Sequence, residues 1–215
     1  MSTQLHAYLD HNLSPDDIEA IPRLLNKHVT ATRDVEDYWR SQTPSWQLKD
    51  QPLPDPTWRD CTELDLPPTE LFREGEAEFR TDTLSVGFYT NIACFWSSGR
   101  FRGFLSFPEH RMVHRKVAHQ LAHALQSTAI TWLSEFAFDP DMLVDAQSMN
   151  AVLTSLNEKM GAPQPNADTI SDQVITDAKH GVPDVWYLER PPFKIATAIG
   201  PANKSVNRSG DSRQI

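Results

Sequence analysis

Between Leu84 and Phe107 three short runs rich in β-branched and aromatic residues follow one another, and a long amphipathic stretch begins directly after them at Pro108-Glu109. Leu84-Ser-Val-Gly-Phe-Tyr89, Ile92-Ala-Cys-Phe-Trp96 and Phe101-Arg-Gly-Phe-Leu-Ser-Phe107 each have the length and composition of a strand. Ser97-Ser98-Gly99-Arg100 offers turn chemistry between the second and third, and Phe101, Gly103, Leu105 and Phe107 alternate along one face. An antiparallel meander is the expected arrangement, because connections this short cannot hold a crossover helix. The stretch from Pro108-Glu109 to about Trp132 or Phe136 places Val113, Val117, Leu121, Ala124, Leu125 and Thr128 on one helical stripe. Strands followed by helix put the chain in the α+β class. The expected core is an antiparallel sheet, with strands near 84–107 and 185–189, packed against N-terminal helices and a long helix near 109–134.

Ser14-Pro15-Asp16-Asp17 reads as a helix start, with Ser14 as N-cap, Pro15 at the first helical position and two acids at the positive end. Ile18, Ile21, Leu24 and Leu25 continue it at helical spacing, and Pro22 either kinks it or splits it from a second helical stretch around Asp34 to Arg40. Residues 43–68 hold six prolines, interleaved with Trp46 and Trp58, which predicts an ordered loop without regular helix or central strand. A short helix from Pro68 to Gly75 closes it. Phe138 to Asp145 reads as extended, Asn150 to Met160 as a short helix, and Val185-Trp-Tyr-Leu-Glu189 as the last strand before Pro191-Pro192. A single domain over 1–202 and a frayed tail over 203–215 are expected from 215 residues without internal repeats.

Apolar runs such as Ile92 to Trp96 fall far short of the about 20 residues that a spanning helix needs. Met1-Ser-Thr-Gln-Leu-His-Ala-Tyr-Leu-Asp10 lacks a basic segment leading into an apolar one, so a cytoplasmic chain without membrane contact is expected. Cys61 and Cys94 have no CxxC or framework spacing and read as thiols. Of the 29 acids, 17 fall in residues 1–82 against 8 Lys/Arg, while the remainder of the chain holds 12 of each. The imbalance behind the formal charge of −9 is therefore N-terminal; it disfavours direct nucleic-acid binding and favours basic partners.

Four histidines, His110, His114, His119 and His123, form two i,i+4 pairs of metal-compatible spacing. At about 100° per residue the first pair falls near ~0° and ~40° and the second near ~180° and ~220°, so the four point to opposite faces and cannot share one ion. The sequence has no HExxH pattern, no G-x-S-x-G elbow and no phosphate-binding glycine loop. No catalytic residue, metal or cofactor is expected. The alternatives are a metal-dependent hydrolase on the His110/His114 or His119/His123 pair, and a regulatory adaptor with an unrelated partner. The acids next to aromatics suggest protein recognition instead: Asp34, Glu36 and Asp37 precede Tyr38-Trp39, and Trp58 precedes Glu63 and Asp65, with Glu74, Glu76 and Glu78 beyond.

The order of landmarks resembles the bacterial immunity protein 52 family. They are a helix ending in Tyr38-Trp39, the segment Glu70-Leu-Phe-Arg-Glu-Gly75, Val86-Gly87-Phe88 leading to Phe95-Trp96-Ser-Ser-Gly99, a long helix ending near Trp132, and Gly181-Val-Pro-Asp-Val-Trp-Tyr-Leu188. The resemblance implies an α+β fold without catalysis, in a family that guards producers of polymorphic and type VI secreted toxins. It also implies a cognate toxin with a restriction-endonuclease-like nuclease domain. The landmarks are scaffold positions, so toxin contacts are sought from charge: Asp34, Glu36, Asp37, Glu63, Asp65, Glu74, Glu76 and Glu78 as attracting groups, with Trp39 and Trp58 as anchors.

Overall fold

The strand nearest the N-terminus lies in the interior of the sheet, not at its edge. In the computed structural model, which describes residues 4–43, 55–62, 65–137, 140–181 and 184–193, β1 (Gln4–Asp10) pairs antiparallel with β5 (Ile92–Arg100) on one side and with β6 (Ile130–Ser134) on the other. Beyond β5 lie β4 (Leu84–Phe88), β3 (Ala77–Arg80) and the two-residue β2 (Arg59–Asp60); beyond β6 lies β7 (Tyr187–Glu189). The result is a seven-stranded sheet of order β2-β3-β4-β5-β1-β6-β7 in which every neighbour is antiparallel. With helices on both faces, the fold is α+β.

The period of two along β1 divides the core into two layers. Leu5, Ala7 and Leu9 join Val86, Phe95 and Trp132 on one face; Tyr8 joins Cys94, Leu133 and Trp186 on the other. The first face is covered by α1 (Ile21–Leu25), α2 (Val29–Gln42), α3 (Pro68–Glu74), α4 (Phe101–Ser106), α5 (Pro108–Leu125) and α8 (Asp172–His180). The second is covered by α6 (Pro140–Asp145) and α7 (Met149–Met160) through Leu143, Met149, Val152 and Leu156. Burial on both faces explains why β1 is almost continuously buried rather than alternating with solvent.

Local chemistry sets the boundaries. The N–H and hydroxyl of Ser14 both donate to the Asp17 carboxylate at 2.8 Å, but the turn they open, Pro15–Ala20, is a 3-10 helix, and Pro22 enters the first turn of a separate α1. Gly75 ends α3 in the left-handed region (φ 75°), where a Cβ would lie 2.3 Å from the Tyr89 ring.

Four expectations need correction. Phe101 to Phe107 is not a strand: Phe101, Phe104 and Leu105 are buried at i, i+3, i+4, the period of a helix, and Phe107 is 60% exposed. Ser97-Ser98-Gly99-Arg100 is therefore not a turn but the end of β5. The long helix stops at Leu125, where Gln126 takes φ 58° and the Ser127 N–H closes on the Ala122 carbonyl at 2.8 Å; Trp132 belongs to β6. The segment read as extended near 138–145 is helical over Pro140–Asp145, its first residues lying outside the described ones. Trp46, with the rest of 44–54 and 63–64 in the proline-rich segment, and the tail over 203–215 also lie outside the described residues.

Candidate functional site

The acids read from the sequence fall into three environments. Asp37 on α2, Asp65, and Glu74 and Glu76 at the α3–β3 turn are exposed. Asp34 is paired with Lys116 across the α2–α5 contact, Glu74 with Arg73, and Glu78 with Arg80. Glu36 is not a surface charge. It is 3% exposed and accepts from the Thr83 hydroxyl at 2.6 Å and the Thr81 hydroxyl at 3.4 Å; burial raises its pKa against the pull of those hydrogen bonds. Trp58 is not a surface anchor either: it is 2% exposed, and Asn26 holds its backbone from both sides, at 2.8 and 3.0 Å. Glu63 lies outside the described residues.

The histidines occupy the opposite sides of α5 that their spacing implies. His110 and His114 stack with ring centroids 4.4 Å apart, and Trp39 meets the His110 ring edge-on at 5.2 Å. The His114 Nδ1 donates to the His110 carbonyl at 2.8 Å, which leaves Nε2 to accept from the Ser97 hydroxyl, also at 2.8 Å. Ser97 Oγ in turn accepts from the Gly99 N–H at 3.0 Å. This is a serine–histidine pair, but both side chains are fully buried, so Ser97 meets no substrate. Burial lowers His114 to about 4; burial, then the neighbouring His114 and Arg111, lowers His110 to about 3.

On the other side of α5 the Glu189 carboxylate gathers four donors. It accepts from Arg115 at 2.8 and 2.9 Å, from His119 Nε2 at 2.7 Å and from the Trp132 indole at 2.7 Å. Burial pushes its pKa up, but the hydrogen bonds and charges of His119 and Arg115 outweigh that and hold it at about 2. Arg115 also pairs with Asp168. His119 is therefore buried under the end of β7, not on an open helix back, while His123 is exposed. No group of three or more His, Cys, Asp or Glu able to hold a metal occurs among the described residues.

Trp39 leads to a feature that the sequence reading missed. Together with Tyr38, it forms part of the wall of a cleft of about 770 Å³ between α2, the β5–α4 junction and α8. Arg100, Arg102, Phe107, His110 and Lys179 also line it. The sequence signal was Arg100-Phe-Arg102 followed by Phe107, which a helical period leaves off the buried stripe. Compared with family models, curated proteins and solved structures, the chain matches none of them.

Proposed function

We propose that this chain is a non-catalytic binding protein: an immunity protein that neutralises a cognate secreted nuclease toxin in the cytoplasm by covering the surface with which that toxin meets nucleic acid. The observation that carries the reading is that Asp37, Asp65, Glu74 and Glu76 are exposed carboxylates on a chain of net charge −9. A nuclease must attract phosphate, so the surroundings of its active site are basic, and a folded acidic surface competes for them without breaking bonds. The state of the chemically capable side chains supports binding over turnover. A hydrolase built on His110/His114 needs His114 nitrogens that Ser97 and the His110 carbonyl already engage, and one on His119/His123 needs a His119 ring whose Nε2 is held by Glu189 and whose Nδ1 is buried.

Co-expression with a toxin encoded beside this chain should restore growth, and the purified pair should form a stable complex. Reversing charge in a D37K/E74K/E76K variant should slow association about tenfold at low ionic strength and flatten its salt dependence. Association at the unaltered rate would exclude these carboxylates, and failure of growth rescue would exclude the function.

A further inference from the structure

The cleft beside Trp39 is lined by cations, of opposite sign to the chain's net charge of −9. Arg100, Arg102 and Lys179 stand exposed at its rim, and among the described residues none of them forms an ion pair with a carboxylate. Arg102 donates to the Lys179 carbonyl at 3.2 Å, which ties the β5–α4 junction to the end of α8 and holds the cations on one wall. Unpaired cations gathered in this way are best stabilised by an incoming anion. Glu109 lies close enough to raise the Tyr38 phenol after burial has done so, and it leaves the three cations unpaired.

The inner surface is aromatic. Tyr38 and Trp39 meet edge to face at 5.5 Å, and both pack edge-on to His110, whose ring fits only because Gly99 and Gly103 carry no Cβ: one there would lie 3.0 or 3.1 Å from the imidazole. Trp39 Nε1, a donor only, is buried without an acceptor. Phe107, 60% exposed, is the exposed large hydrophobic of the described chain. Tryptophan, tyrosine and arginine around an exposed apolar side chain are the composition of an interface hot spot. A free small anion would leave Phe107 in water, whereas a peptide segment covers it together with the cations.

The geometry points to a second docking site, in which an acidic segment of a protein partner seats one aromatic or large aliphatic side chain on Tyr38, Trp39 and Phe107 and its flanking carboxylates on Arg100, Arg102 and Lys179. This goes beyond the exposed carboxylates and rests on the proposed function in one respect, that the occupant is a protein.

The test is fluorescence polarisation of the full chain with a fluorescein-labelled peptide, Gly-Asp-Glu-Trp-Glu-Asp, and the same peptide with lysine at every acid. The acidic peptide should bind at least tenfold more tightly than the lysine peptide. R100E/R102E and, separately, F107A should weaken it at least tenfold and threefold, with thermal midpoints unchanged because all three side chains are exposed. E74K/E76K should leave it within twofold. Equal binding of the two peptides, no binding of the acidic peptide, or indifference to R100E/R102E overturns the site. Free indole-3-acetate binding as tightly as the peptide, or a single-stranded oligonucleotide displacing it, assigns the cleft to another ligand and overturns it too. The probe is not the toxin, so failure here leaves growth rescue intact, and failure of rescue leaves this result standing.

Discussion

At the scale of single residues, the buried titratable groups make stability depend on pH in one direction. Burial, partly offset by Glu135, lowers His6 to about 4; burial also lowers His110 to about 3 and His114 to about 4, from the ordinary 6.5. The unfolded chain therefore binds protons first as pH falls. Stability is complete above about pH 6.5 and declines toward pH 4, by about 1.4 kcal/mol per pH unit for each histidine. Glu189, held at about 2, acts with the same sign in a lower window, below the ordinary 4.5. Urea unfolding at pH 7, 6 and 5 should show a steepening loss, and an unfolding free energy that is flat over this range would contradict the neutral buried imidazoles. Glu189→Ala at pH 7 should cost about 3–5 kcal/mol, because the buried His119 would lose its acceptor and the buried Arg115 would keep only Asp168. The spacing of the histidines was legible in the sequence, and it correctly placed the two pairs on opposite sides of α5. What it did not carry was Glu189, 70 residues away from His119, since nothing local marks a carboxylate that a distant strand will bring.

Among the elements, α4 separates a helical period from an alternating one in a segment that admits both. An alternating strand places Phe101, Gly103, Leu105 and Phe107 on the buried side and turns Phe104 away. The helix buries Phe104, stacked 4.9 Å from Trp132, and leaves Phe107 outside. Phe104→Ala should therefore cost about 3–5 kcal/mol, while Phe107→Ala should stay within about 0.5 kcal/mol. Chemical denaturation of the two variants measures the difference directly, and the reverse order would restore the strand. The sheet strands β4, β5 and β7 and the helices α3, α5 and α7 were legible from their β-branched and aromatic runs or apolar helical stripes, and some of their ends from local signals, such as Gly75 after α3. The end of α5 was not. Gln126 takes a left-handed backbone usually reserved for glycine or asparagine, so the chain shows no stop signal before Trp132.

For the whole molecule, the decisive fact is that the first strand completes the sheet. β1 separates β5 from β6, and its partners run from Ile92 to Arg100 and from Ile130 to Ser134. Alternation in Gln4-Leu-His-Ala-Tyr-Leu-Asp10 is blurred because both faces are covered, and so this strand carries little local sign of lying inside a sheet. The same geometry makes folding non-local. β1 cannot pair with β5 until residues 92–100 are available, nor with β6 until residues 130–134 are, and closing such long loops is slow. Refolding of the intact chain, followed by tryptophan fluorescence, should take milliseconds to seconds rather than microseconds. A chain lacking residues 1–10 should lose its cooperative urea transition altogether, since β5 and β6 would each present an unpaired edge where β1 had joined them. A truncated chain that still unfolds cooperatively would mean that β5 and β6 close on each other without the N-terminal strand, and β1 would then be an addition to the sheet instead of the strand that joins its two parts.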